Sequence, residues 1–287
     1  MSTIEIKGIC KRYGSTLALD NVDLTLEPNR IYGLLGRNGA DKTTLLNLIT
    51  NKIFPTQGEI VIDGANVLEN DQALSKIFYM MEASLYPSSL RVKEAFRWSK
   101  EFYPDFDMNY ALNLSEKFGL NMNKRVKELS TGYGSIMKAI IALASNASIV
   151  IFDEPVLGLD ANHREMFYRE LVASYSLRPK TIIISTHLIE EISEVLEEVI
   201  IIKDGRIILK QPVEDLLSQA YTVSGEAAQV ERFIEGKRCV SGETLGKFRA
   251  VTVMECLQNT DRALARELEL DLSGVELQKL FISLTNS

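Results

Sequence analysis

The chain has 287 residues, 46% of them apolar, with a formal charge of −7 and a pI near 5.2. That length supplies one large domain, or a domain of roughly 200 residues with a smaller appendage. The acidic balance argues against a sequence-independent grip on DNA or RNA, which needs a basic face.

The opening S-T-I-E-I-K has no signal-peptide pattern and reads as an edge strand. Short β-branched runs follow: V-D-L-T-L at 22–26, I-Y-G-L-L at 31–35, I-V-I at 60–62 and I-F-Y-M-M at 77–81. Residues 90–145 contain no strand pattern. They read as three or more helices carrying Phe96, Trp98, Phe102, Tyr103 and Phe106, whose plainest role is core packing. The runs at 149–152 and 181–185 are apolar without alternation, as in strands covered on both faces. Between them, 161–175 has the length and period of a crossover helix, and V-I-I-I at 199–202 adds a further strand. The longest apolar stretches, Ala139–Ala144 and Val199–Ile202, are too short to span a bilayer. From about 221 a strand-like Y-T-V restarts the pattern, which ends on the amphipathic E-L-Q-K-L-F-I-S-L. The whole is an α/β pattern, with domains expected at 1–220 and 221–287. Cys10, Cys239 and Cys256 have neither metal-ligand nor redox spacing and read as thiols in a reducing compartment.

The chemistry begins at residues 36–44, G-R-N-G-A-D-K-T-T, between the strand at 31–35 and an apolar helix. Strand, glycine loop and helix form the context of a phosphate-binding loop. Gly36 and Gly39 let backbone N–H groups converge on phosphate oxygens, and the helix N-terminus adds partial positive charge. Lys42 is placed to neutralise the outer phosphates, and the Thr43 hydroxyl can ligate Mg²⁺. Downstream, the strand I149-V-I-F ends in Asp153 and Glu154. Asp153 would hold Mg²⁺ through water, and Glu154 would polarise the attacking water.

With these motifs in place, the chain resembles the ATP-binding subunit of an ABC transporter over about residues 3–215. L129-S-T-G-Y133 is similar to that family's signature sequence, G158-L-D160 to its D-loop, and T186-H187 to its switch histidine. The resemblance implies a P-loop NTPase core of ABC ATPase type, a helical subdomain at about 84–145 and a small α+β C-terminal domain. It implies ATP and Mg²⁺ as cofactors, with Glu154 and His187 catalytic and Thr43, Glu82 and Asp153 at the metal. Glu82 stands where the family usually has the Q-loop glutamine. Tyr13 would stack on adenine, and Gly36, Asn38, Gly39, Lys42, Thr43 and Thr44 would hold the phosphates. Ser130, Gly132 and Asp160 would complete the nucleotide site, the first two by reaching across a two-fold dimer to the γ-phosphate. The implied partners are an integral-membrane permease and a second ATPase subunit, identical or not, at the inner face of the cell membrane. No nucleic acid is implied. The ending V275-E-L-Q-K-L-F-I-S-L-T resembles subunits that partner ABC-2-type exporters. A soluble ABC protein of translation or DNA repair is disfavoured, since such proteins usually carry two cassettes or a long coiled-coil insertion.

Two departures bear on activity. Thr131 and Tyr133 replace the signature's usual glycine and glutamine, and Ile136 replaces a frequent arginine, which lowers the expected hydrolysis rate more than binding. Asp41 stands where the phosphate loop asks for a third glycine. A carboxylate about 4 Å from a phosphate charge costs roughly 4 kcal/mol at an effective dielectric near 20. Each 1.4 kcal/mol is about tenfold in affinity, so Asp41 is expected to weaken ATP·Mg²⁺ binding at least tenfold. The alternative role is a nucleotide-poor, non-hydrolysing regulatory subunit.

Overall fold

The computed structural model describes residues 2–286. The chain divides into two compact units. The first runs to His187 and takes in Ile202–Ile208; the second takes Leu188–Ile201 and the chain from Leu209 onward.

The first unit is built in chain order from β1 (Ile4–Tyr13), β2 (Thr16–Leu26), β3 (Ile31–Leu35), α1 (Lys42–Ile49), β4 (Gln57–Ile62), β5 (Ala65–Asn66), α2 (Asp71–Leu74) and β6 (Ile77–Met80). It continues through α3 (Val92–Phe102), α4 (Met108–Lys117), a 3₁₀ turn (Val126–Glu128), α5 (Thr131–Ala144), β7 (Ile149–Asp153), α6 (Ala161–Leu177) and β8 (Thr181–Ser185). An antiparallel sheet runs β2-β1-β4-β5. The sequence suggests an edge position for β1, but it pairs with β2 on one side and β4 on the other. Ile4, Ile6 and Ile9 are all buried, and a strand that buries its whole apolar face is protected best by neighbours on both edges.

A second sheet holds the site. In it β3, β8, β7 and β6 lie side by side and parallel. The turn-proximal ends of β9 (Glu198–Lys203) and β10 (Arg206–Pro212), residues 202–208, complete it beside β3. Every residue of β3, β7 and β8 is buried, which is why their sequences run apolar without alternation. Register aligns Asp153 with Ser185, and Ser185 with Leu34. Three strands therefore release their loops from one edge, where ligands of parallel α/β sheets bind. Residues 90–145 are helical, as their sequence indicates. Phe96 and Phe106 pack together in the core at 6.3 Å, whereas Trp98 and Phe102 are exposed.

The second unit contains α7 (Ile189–Ile192) and α8 (Val213–Ser218), then β11 (Tyr221–Glu226), α9 (Ala227–Phe233), β12 (Cys239–Leu245), β13 (Phe248–Val253), α10 (Asn259–Glu267), β14 (Asp271–Ser273) and α11 (Leu277–Asn286). From β11 to β14 the order is βαββαβ, with an antiparallel sheet β12-β13-β11-β14, the split-βαβ arrangement. Its core gathers Tyr221, Val223, Val230, Phe233, Val251 and Val253.

One buried charge in the first unit works against stability. Lys180 precedes β8, is 4% exposed, and finds Ser174 Oγ at 3.3 Å. Burial, with Arg178 adding to it, lowers its ammonium from 10.5 to about 8. The unfolded chain thus binds the extra proton between those values, so this group opposes folding below pH 8 and stops doing so as pH rises toward 10.5. Lys180→Met is expected to stabilise the chain at pH 7 by on the order of 1–3 kcal/mol. Denaturant titrations of both proteins should show that advantage shrinking from pH 8 to pH 10; a constant difference would refute the assignment.

Candidate functional site

The loop after β3 curls tightly because Gly36 has no side chain. A Cβ there would lie 2.8 Å from the Cγ2 and carbonyl oxygen of Ile202 and 3.1 Å from Ala40 Cβ. Lys42 folds its ammonium back over the loop, donating to the carbonyls of Gly36 (2.6 Å) and Arg37 (3.3 Å). Burial pushes that ammonium below its ordinary value, opposed by the nearby Glu154 and Asp153 carboxylates. The next residue joins the loop to the sheet: Thr43 Oγ1 donates to Asp153 Oδ2 at 3.0 Å. Between loop and strand ends lies a cleft of ≈ 400 Å³. It is lined by Asn38, Gly39, Asp41, Lys42, Thr43, Thr44, Glu82, Asp153 and Glu154, nine residues singled out from sequence, together with Ala40 and Ser185.

Asp41 takes the backbone conformation that the motif's glycine would take. Its φ of 65° and ψ of 27° are left-handed, a region Asp enters more readily than most residues. Its carboxylate accepts a hydrogen bond from Thr44 Oγ1 at 3.0 Å. The side chain is therefore neither paired with Lys42, which bonds to carbonyls, nor turned away from the cleft.

Glu154 is also left-handed, at φ 49°, a conformation that commonly stores strain at functional sites. Its backbone N–H donates to Ser185 O (2.8 Å), which fixes the turn leaving β7. Its carboxylate Oε2 then meets two groups from the end of β8: Thr186 Oγ1 at 3.1 Å and His187 Nδ1 at 2.9 Å. Carboxylate and imidazole are thus held together at the mouth of the cleft, with His187 more exposed than Glu154.

The L-S-T-G-Y segment opens α5. Ser130 is the N-cap, accepting from Tyr133 N at 3.3 Å. Gly132 presses on the G-L-D loop so closely that a Cβ would lie 2.4 Å from Gly158 O. Ser135 Oγ adds a hydrogen bond to Leu157 O at 2.9 Å. Asp160 caps α6 by accepting from His163 N at 2.9 Å. The backbone and side chain of His163 together hold the Asp160 carboxyl below its ordinary value. Ser130 borders a neighbouring cleft shared with Glu82 and Glu154. Gly132 and Asp160 line neither cleft, and Tyr13 stands exposed at the end of β1 with Lys11 Nζ 5.0 Å from its ring. Among the described residues, no three His, Cys, Asp or Glu side chains converge to hold a metal.

The structure adds two residues that sequence reasoning passed over. Tyr79 OH, inside the apolar run I-F-Y-M-M, donates to Asp153 Oδ2 at 3.3 Å. Burial first, then the Asp153 charge, pushes the phenol far above its ordinary value, so it stays a donor. Lys138, in the apolar body of α5, donates to the carbonyls of Met81 and Glu82 just beyond β6. Burial lowers its ammonium, and Glu82 opposes the shift. An isolated polar group in an apolar run was the available signal in both cases.

Comparison with known proteins establishes the family and the fold. The family model described as ABC transporter matches residues 19–157. The ABC transporter ATP-binding protein NatA of Bacillus subtilis (strain 168) is 32% identical over 214 residues, covering 69% of this chain and 83% of that protein. The chain belongs to the ABC transporter ATP-binding family. The Bacillus licheniformis bacitracin transport ATP-binding protein BcrA is also 32% identical, over 75% of this chain and 72% of its own. Among solved structures, the dimeric structure of MJ0796, a bacterial ABC transporter cassette, superposes with a TM-score of 0.66 at 25% identity, covering 73% of this chain and 98% of that one. The α/β architecture is that of an ABC ATPase cassette. No helix among the described residues is long and apolar enough to cross a membrane.

Within this cassette the Tyr79 hydroxyl is one of two donors that the structure gives Asp153 Oδ2. Tyr79→Phe should destabilise the fold by about 1 kcal/mol, the typical net value of a hydrogen bond and below the range for one to a charged group because this contact is long. Thermal melts of the two proteins decide the point, and an unchanged Tm would mean that the contact is energetically idle.

Proposed function

We propose that this chain is the ATPase subunit of an ABC transporter, binding ATP in the cleft above β3, β7 and β8 and hydrolysing it to drive a separate membrane permease. The observation that carries the reading is the meeting, at one sheet edge, of the Thr43–Asp153 pair (3.0 Å) and the Glu154–His187 pair (2.9 Å) beside the glycine loop. The first pair is chemistry for a phosphate-bound cation, the second for activating and orienting water.

The oxygen donors fit Mg²⁺. That ion, when bound, neutralises charge on the outer phosphates, and it is held by phosphate oxygens, water and one or two protein oxygens. Thr43 and Asp153 suffice for such a site, with Glu82 on the same cleft, so no all-protein cage is needed. Lys42 would turn from its carbonyls to the phosphates. Glu154, steered by Thr186 and His187, would hold the attacking water, and His187 would orient the γ-phosphate. Tyr13 would stack on adenine. A second cassette would present its Ser130 and Gly132 N–H across a two-fold axis, with Asp160 at the same junction. Dimeric packing in MJ0796 supports this arrangement.

The permease would dock on the helical region, where an apolar groove is lined by Phe78, Met81, Leu85, Tyr86 and Phe102, the last 75% exposed. Such docking would hold the chain at the inner face of the membrane. BcrA's role in bacitracin transport and the ABC-2-like ending both support an exporter. The second unit would serve dimer contacts or regulation. A nucleotide-poor regulatory subunit is favoured by one observation only, Asp41.

Asp41 would weaken nucleotide binding in two ways. Its carboxylate lies on the phosphate cleft, and it engages the Thr44 hydroxyl that the phosphates would use. Fluorescent ATP with Mg²⁺ should bind Asp41→Gly at least tenfold tighter than the unmodified chain in an equilibrium titration; equal affinities would sink the argument. Asp41→Gly is expected to hydrolyse ATP, and adding Glu154→Gln should cut kcat by on the order of 100-fold or more. A glycine form that binds ATP without turnover would favour the regulatory reading.

A further inference from the structure

We propose that His163 is a positioning residue that locks this cassette's D-loop to its own signature motif through Tyr133. The inference rests on the ATPase reading for its consequence, and on geometry for its existence. His163 lies in the first turn of α6, and its Nδ1 is 3.0 Å from each carboxylate oxygen of Asp160. One imidazole thus meets both oxygens of a residue that is also the N-cap of the same helix. The imidazole is held in turn by two aromatic rings. Phe118, just after α4, stacks on it at 6.2 Å with an 18° tilt, and Tyr133 of α5 meets it edge-on at 6.1 Å.

These contacts bridge the two segments at a second point. At the first, Gly132 and Gly158 touch backbone to backbone, with no room for a methyl group between them. At the second, Tyr133, His163 and Asp160 form a continuous side-chain path from α5 to the D-loop. The Tyr133 backbone N–H is meanwhile committed to Ser130 Oγ, so ring and signature serine belong to one rigid turn. The side chain of Asp160 remains 67% exposed while that of His163 is 22% exposed. The carboxylate is therefore aimed and accessible, whereas the residue that aims it is largely covered. Tyr133, which replaces the usual signature glutamine, has a role in this path: it supplies a ring edge for the imidazole that a glutamine amide cannot. Motion of the signature turn is then delivered to the direction of Asp160, and the two motifs face a second cassette as one surface.

The test has two arms. Hydrogen–deuterium exchange of the nucleotide-free full chain reads the amides of 158–163. Tyr133→Gln and His163→Phe should each raise exchange there at least threefold, and Tyr133→Phe, which keeps the ring edge, should not. In a background of His163→Asn, which keeps a donor near Asp160 without the ring, Tyr133→Gln should add nothing. Exchange at 158–163 that ignores Tyr133→Gln, or that rises by the same factor with and without the His163 ring, overturns the proposal. The second arm measures turnover in Asp41→Gly. Contrary to the sequence expectation that Tyr133 slows hydrolysis, its contact with His163 makes Tyr133→Gln, like His163→Phe, lower kcat at least fivefold with KM for ATP within twofold, and the double variant should fall no further than the worse single one. Losses that multiply, or that appear in KM alone, count against it. If Asp41→Gly hydrolyses no ATP, the ATPase reading is what has failed, and the exchange arm still decides whether His163 positions the D-loop.

Discussion

A single hydrogen bond, from Thr43 Oγ1 to Asp153 Oδ2, joins the two halves of this site. On one side is a loop whose curl depends on an absent side chain at Gly36; on the other is a fully buried strand ending in a carboxylate. The loop cannot open without withdrawing Thr43 from Asp153, and Asp153 is 7% exposed with a second donor in Tyr79. A buried carboxylate that loses its donors is expensive, so the junction resists disturbance. The register of β7 and β8 then carries Glu154, Thr186 and His187 to the same edge.

Much of this was legible in the letters. Continuous apolar runs announced β3, β7 and β8, and residues grouped by motif do converge: the loop residues, Glu82, Asp153 and Glu154 share one cleft. What escaped has physical reasons. β10 alternates exposed and half-buried residues, and β12 is exposed along almost its whole length, so neither carries a strong apolar pattern. The central position of β1 depends on β4, more than 40 residues away, and no local pattern reports a pairing of that span. Tyr79 and Lys138 look like bulk in an apolar strand and helix until their polar tips are given partners.

Asp41 shows where sequence and structure answer different questions. The motif says that glycine belongs there; the backbone, at φ 65°, says why. An aspartate satisfies the backbone requirement with little strain while changing the electrostatics of the cleft it faces. The fold therefore accommodates a residue that the motif does not ask for. Stability and ligand binding make separate demands on the same position, and the backbone geometry of Asp41 meets the first.

Lys138 ties the helical region to the chain just beyond β6. Its ammonium grips two successive carbonyls, of Met81 and Glu82, from the middle of a 14-residue helix whose N-terminus is the signature motif. A helix is stiff along its axis, so the L-S-T-G-Y turn at the tip of α5 and the Lys138 contact partway along are held at a fixed separation. Lys138 also lines the groove beside Phe102 and Leu85. One side chain thus spans the distance from that groove to Glu82, on the wall of the cleft beside the glycine loop.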